Sequence, residues 1–167
     1  MSKITLKGNS IHTAGELPAI GQKAPDFKLV DGDLNDKSLK DFKGKRKLIS
    51  IVPSLDTAVC SLSTKKFNEE FKKHPNFVGI VVSADLPFAQ KRVCGEEIKN
   101  MVTLSMMRSK DFARDYGILI IDGPLAGVCA RGVLVLDEND KVIYRELVPE
   151  ITQEPDYEKD LEALLKK

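Results

Sequence analysis

The apolar run KLISIV (Lys47–Val52) stops at Pro53, and a short way on an amphipathic stretch begins, SLSTKKFNEEFKK (Ser61–Lys73). A short β-branched apolar run bounded by turn residues reads as a buried strand, and apolar residues at helical spacing read as a helix lying against it. We place Leu62, Phe67 and Phe71 on the inner face of that helix. The pattern recurs along the chain. NFVGIVVSAD (Asn76–Asp85) predicts a second strand, and LPFAQKRVCGEE a short helix with Pro87 in its first turn. VTLSM (Val102–Met106) predicts a third strand, and SKDFARDYG (Ser109–Gly117) a helix stopped by Gly117. GVLVLDENDKVIYREL (Gly132–Leu147) predicts two strands around the turn DEND, and EPDYEKDLEALLKK a closing amphipathic helix.

Ahead of this alternating region, KITLKG and NSIHTA predict a small hairpin split at Gly8–Asn9. Gly15–Phe27 is rich in Pro and Gly and reads as loop. Phe27–Lys45 holds a short strand, a turn at Asp31–Asp33 and one helical turn near Ser38–Phe42. With no repeat and no internal linker, we expect one α/β domain over residues 1–167, a central mixed sheet flanked by helices with an N-terminal β-hairpin. A chain of 167 residues is long enough to bury a proper core. The element order, a βαβ half followed by a ββα half, resembles the thioredoxin-like fold.

The 26 basic and 25 acidic side chains leave a net charge of +1, so no basic excess points to nucleic acid and no acidic block to a tail. No apolar run approaches the roughly 18 residues that span a bilayer, and the start, MSKITLKGNSIHTAG, lacks the apolar stretch of a signal peptide. We expect a soluble, cytoplasmic protein without membrane or nucleic-acid partners. Its three cysteines, Cys60, Cys94 and Cys129, are too few and too scattered for a disulfide framework. There is no Cys-x-x-Cys pair, and His12 and His74 are far in sequence from the thiols, so no metal site is expected.

The stretch PSLDTAVC (Pro53–Cys60) carries the chemistry. It sets a cysteine where the buried strand gives way to the helix, with Thr57 three residues before it and Pro53 seven before it. Unpartnered N–H groups in the first turn of a helix carry the positive end of its dipole. Such sites lower a thiol's pKa from about 8.5 to roughly 3.5–7.5. Thr57 could donate a hydrogen bond to the sulfur or to a bound oxygen, and Pro53, lacking an N–H, could shield one side. These residues alone leave two readings open: a protected nucleophilic thiolate, or a small buried hydrophobe preceded by a helix cap.

Pro53-x-x-x-Thr57-x-x-Cys60 resembles the active-site motif of peroxiredoxins. The blocks PSLDTAVCSLSTKKFN, SADLPFAQKRVCG, DGPLAGVCARGVLVLDENDKVIY and EITQEPDYEKDLEALLK resemble, in order, the thiol peroxidase subfamily, the bacterial atypical two-cysteine peroxiredoxins. The resemblance runs from the N-terminal hairpin to the last helix. It implies that Cys60 is the peroxidatic cysteine and Cys94 the resolving cysteine of the same chain. It implies that Thr57 and Arg131 activate the thiolate and bind the peroxide, and that Pro53 shields the site. A guanidinium near a thiolate stabilises the charged form and donates to a peroxide oxygen, which agrees in kind. Cys129 stands where the family often has a small apolar residue, and it shares a strand face with Arg131 if the strand reaches that far back.

The resemblance further implies a homodimeric, thioredoxin-dependent peroxidase that reduces hydrogen peroxide and alkyl hydroperoxides. It needs no cofactor. Cys60 passes through a sulfenic acid to an intramolecular bond with Cys94, and thioredoxin restores both thiols. Because Cys60 starts one helix and Cys94 ends another, we expect the short helix carrying Cys94 to unwind before the bond closes. Two other readings remain: a peroxide-sensing redox regulator using the same thiols, and a binding protein on the same fold with inert thiols.

Overall fold

A computed structural model of the chain describes residues 1–166. The chain opens with a two-stranded antiparallel hairpin, β1 (Lys3–Leu6) and β2 (Asn9–His12). Its turn is Lys7–Gly8, one residue earlier than the expected Gly8–Asn9, and both residues take positive φ, 50° and 82°. That conformation twists the chain the way a tight hairpin needs, and glycine adopts it without steric cost. The short strands β3 (Leu29–Val30) and β4 (Asp36–Lys37) flank the expected turn and precede a 3₁₀ turn, Leu39–Phe42.

The remaining elements alternate: β5 (Lys47–Ile51), α1 (Ala58–Lys73), β6 (Val78–Ser83), α2 (Pro87–Cys94), β7 (Met101–Ser105), α3 (Asp111–Asp115), β8 (Gly132–Leu136), β9 (Val142–Leu147) and α4 (Tyr157–Leu165). They build one mixed sheet of seven strands in the order β4-β3-β7-β6-β5-β8-β9. β5, β6 and β7 run parallel, which requires crossovers, and α1 and α2 supply them. β8 and β9 return antiparallel on the other side of β5. The expected thioredoxin-like arrangement, a mixed sheet flanked by helices with an N-terminal hairpin, is what forms.

Successive residues of the central strands feed opposite faces. Leu48, Val81, Val133 and Val135 join a cluster with Phe67 and Phe71 of α1 and Leu164 of α4. Ile49, Ile80, Val82, Leu134 and Leu136 join a second cluster with Phe112 and Ala113 of α3 and the hairpin's Ile4 and Ile11. Each such aliphatic side chain, fully buried, contributes about 1.5–3 kcal/mol. α1 lies close on β6: a Cβ on Gly79 would stand 2.5 Å from the Phe71 ring, so a glycine is needed there.

One expected core residue is not in the core. Leu62 is 45% exposed, whereas the buried positions of α1 are Cys60, Ser63, Thr64, Phe67, Asn68 and Phe71. These recur at the helical spacing of three and four, and Leu62, two residues past Cys60, is rotated to the far side. Three of the buried positions are polar, which is why an apolar count alone misplaces the stripe. Among the described residues no helix is long and apolar enough to cross a membrane.

Candidate active site

Strand pairing brings the site together. Ile51, at the end of β5, pairs with Gly132, the first residue of β8, so Arg131 arrives beside the loop that leaves β5. Gly132 also pairs with Leu147 at the end of β9, and Val148 N–H donates to the Arg131 carbonyl at 3.0 Å. The segment after β9 is thereby drawn to the same spot. On the other side of β5, Val52 N–H donates to the Val82 carbonyl at 3.0 Å and extends the pairing toward the end of β6. Four stretches remote in sequence thus meet at the carboxyl end of β5.

Thr57 is the N-cap of α1, in extended conformation, and its side-chain oxygen accepts from Cys60 N–H at 3.4 Å. Its hydroxyl donates to the Ser54 carbonyl at 3.2 Å, not to sulfur. Cys60 is therefore the third residue of the helix, inside the first turn and at the positive end of its dipole. Its side chain is wholly buried, Pro53 is buried beside the same loop, and Asp56, Thr57 and Ala58 are exposed. The helix begins at Ala58, three residues before the expected Ser61, because the Thr57 cap sets its start.

Arg131 is 3% exposed, and its Nη1 donates to Cys60 Sγ at 3.2 Å. Nε and Nη2 both donate to the Ile151 carbonyl, at 3.1 and 2.9 Å. A planar guanidinium held on two nitrogens by one oxygen has little freedom left, so the third nitrogen is aimed. The Ile151 carbonyl is in turn fixed by the hairpin. Ile151 N–H donates to the Thr5 carbonyl and Thr5 N–H to the Pro149 carbonyl. The Glu150 carboxylate accepts from the Lys7 and Gly8 N–H groups and from the Thr5 and Thr152 hydroxyls. Those bonds, Thr5 first, hold its carboxyl down at about 2. Ile151 and Glu150 are not legible as site residues in the sequence, since the first acts through a backbone carbonyl and the second through a carboxylate tie to the hairpin that only the folded chain brings near.

Cys94 ends α2, is 6% exposed, and belongs to the same core cluster as Cys60. Burial, and after it the Asp85 carboxylate, push its thiol up to about 11. Cys129 is elsewhere. β8 starts only at Gly132, so Cys129 does not share a strand face with Arg131. It bridges Leu119 in an isolated pair and packs in the opposite core cluster, with Sγ 3.7 Å from Met106 Sδ. Burial pushes its thiol up to about 12. All three thiols are unpaired. Among the described residues, no His, Cys, Asp and Glu side chains cluster as metal ligands would.

Asp85 ties the loop under Cys60 to the end of β6. Its carboxylate accepts from the Ser54 hydroxyl, Leu55 N–H and the Ser83 hydroxyl, each at 2.7 Å. Such multiple acceptance fixes a loop more firmly than one bond does. Asp85 lies in the block SADLPFAQKRVCG, but no spacing rule singles it out.

The fold and this arginine-bound thiol at a helix start define a peroxiredoxin-class site, and the comparisons with known proteins agree. Residues 19–161 match the Redoxin family. A thiol peroxidase of Leptospira interrogans is 51% identical over 160 residues, which is 94% of each chain. The crystal structure of a peroxiredoxin-like protein from Aquifex aeolicus superposes with a TM-score of 0.90 at 41% identity, over 98% of this chain and 96% of that one. A thiol peroxidase from Chromobacterium violaceum superposes with a TM-score of 0.90 at 27% identity, over 98% of this chain and 95% of that one. The chain belongs to the Redoxin family, and within it to the thiol peroxidase type of peroxiredoxin.

Proposed function

We propose that this thiol peroxidase reduces hydrogen peroxide and alkyl hydroperoxides at Cys60, resolves the oxidised sulfur with Cys94, and is recycled by thioredoxin. The observation that carries the reading is the 3.2 Å contact between the aimed Arg131 guanidinium and the buried Cys60 sulfur. A cation in a dry site favours the anionic sulfur and has a second task when peroxide arrives, since charge then spreads over both oxygens.

In the first step the Cys60 thiolate attacks one peroxide oxygen in line with the O–O bond. That bond breaks, the sulfur becomes a sulfenic acid, and the departing alkoxide or hydroxide takes a proton. Arg131 donates to the reacting oxygens. The Cys60 N–H, held only by the long 3.4 Å bond to Thr57, is free to trade partners, and the Thr57 hydroxyl with it. In the second step Cys94 attacks the sulfenic sulfur, and one water leaves as the Cys60–Cys94 disulfide forms. A dithiol then reduces that bond by exchange, becoming oxidised itself and returning both thiols. We read the working form as a homodimer on the strength of the family resemblance.

A steady-state assay with thioredoxin, its reductase and NADPH tests the cycle. Sustained peroxide-dependent NADPH oxidation is expected with hydrogen peroxide and with tert-butyl hydroperoxide. Turnover with another dithiol but not with thioredoxin reassigns the reductant. A single stoichiometric oxidation without turnover favours the sensor reading.

A further inference from the structure

Cys94 is buried at the end of the formed helix α2, where burial and Asp85's charge oppose its thiolate, so the resolving step asks this part of the chain to open. Something must move, and the hydrogen bonds show which part. Upstream, Asp85 is fixed by Ser54, Leu55 and Ser83, and its carbonyl accepts from the Ser105 hydroxyl. Downstream, Asn68 of α1 donates from Nδ2 to the Glu97 carbonyl at 3.0 Å and accepts from Asn100 N–H at 2.8 Å. Residues 86–96 lie between these anchors and include all of α2.

Within that stretch, among the described residues, one side chain is hydrogen-bonded to the sheet. Gln90 Nε2 donates to the Ser83 hydroxyl and to the Leu104 carbonyl, both at 2.9 Å, and the residue is 1% exposed. The other polar ties of α2 are long pairs at the surface, Lys91 with Asp33 at 3.6 Å and Arg92 with Asp56 at 3.9 Å. Gln90 is also half satisfied: its Oε1 is buried without a partner. An unpaired buried carbonyl regains water when the helix opens, so the hold is weaker than two bonds suggest.

We propose that Gln90 is a positioning residue for the resolving step: it latches α2 shut over the sheet, and its release from Ser83 and Leu104 sets the rate at which Cys94 reaches the oxidised Cys60. The inference rests on the two-thiol cycle proposed above. It assigns the delay before disulfide formation to one buried amide. A tighter latch would leave the sulfenic acid exposed longer to a second peroxide, and a looser one would shorten that exposure.

The test separates the two chemical steps in wild type, Gln90→Ala and Ser83→Ala. Reduced protein is mixed with peroxide, quenched by acid at intervals, and the sulfenic and disulfide forms are resolved by intact mass. A buried hydrogen bond shifts an equilibrium by roughly 2- to 12-fold, so Gln90→Ala should form the disulfide on the order of tenfold faster. Ser83→Ala, which keeps the Leu104 bond, should show a smaller gain. Sulfenic acid formation should keep its wild-type rate in Gln90→Ala, and the yield of over-oxidised Cys60 at high peroxide should fall. Amide exchange should rise over residues 86–96 and not in β6 or β7, which a general loss of stability would not produce. An unchanged or slower disulfide step in Gln90→Ala overturns the latch. If the wild type forms no Cys60–Cys94 bond, the proposed cycle fails instead.

Discussion

Arg131 Nη1 and Cys60 Sγ lie 3.2 Å apart, with both residues buried and the guanidinium pinned on two nitrogens by the Ile151 carbonyl. The contact follows from sheet register: the Ile51–Gly132 pair sets Arg131 beside the loop, and the Gly132–Leu147 pair sets Ile151 behind it.

Arg131→Met keeps much of the apolar stem and removes the charge. We expect the peroxide step to slow by roughly 10²–10³-fold, the scale of losing one aimed donor to a developing anion. Iodoacetamide should also label Cys60 more slowly at pH 7, because the cation no longer favours the anionic sulfur. Unchanged peroxide and alkylation rates would make Arg131 a purely structural residue.

Cys94→Ser should still consume one peroxide per chain and then stall. With no thiol to close the disulfide, the sulfenic acid persists and can oxidise to the sulfinic form. Intact mass should show added oxygen on the protein, placed on Cys60 by peptide mapping. Wild-type turnover with thioredoxin would mean that a different thiol resolves Cys60.

Cys129 is the remaining thiol, and its place in the opposite core cluster separates it from Cys60 by the sheet itself. A disulfide needs Cα atoms within about 7 Å, which two thiols on opposite sides of the sheet cannot reach without breaking it. Cys129→Ala should leave the thioredoxin-coupled rate nearly unchanged, and oxidised wild type should keep one free thiol, found on Cys129. A mapped Cys60–Cys129 bond as the main early product would contradict this.

The parts of this site that were legible are those in which one residue type announces a local structure. KLISIV and GVLVL could only be buried strands, and the thiol after PSLDTAV could only sit near a helix start. Arg131 stood out by resemblance, since an arginine in a loop before a strand has no periodic signature. What could not be read are contacts made by backbone or by register. The Ile151 carbonyl, the Glu150 tie to the hairpin and the Asp85 clamp depend on which strands are neighbours. Leu62 was misplaced because polar Ser63, Thr64 and Asn68 occupy the inner stripe of α1. Asp160 was hidden by its charge, although it falls between Tyr157 and Leu164 at inward spacing on α4.

Asp160 has consequences for pH. It is wholly buried, and neither carboxylate oxygen has a hydrogen-bond partner. Burial, and after it the neighbouring Glu146, push its carboxyl well above the usual carboxylate range, with the Asp156 charge adding to the rise. Between about 3.9, the ordinary aspartate value, and that raised value the unfolded chain has released this proton and the folded chain has kept it. Stability therefore falls as pH rises through the window. Asp160→Asn cannot ionise, so thermal melts at pH 5, 7 and 8.5 should show a smaller loss in the variant than in wild type. Parallel loss in both would remove Asp160 from the account.

The central claim is that Cys60 is the atom that breaks the peroxide bond. The direct measurement is single-turnover peroxide loss, with wild type and Cys60→Ser each mixed with one equivalent of hydrogen peroxide and no reductant. Wild type should consume the peroxide and lose the mass of two hydrogens as one internal disulfide forms, while Cys60→Ser, whose hydroxyl does not ionise near neutral pH, should leave the peroxide intact. Peroxide loss in Cys60→Ser at the wild-type rate would contradict the account.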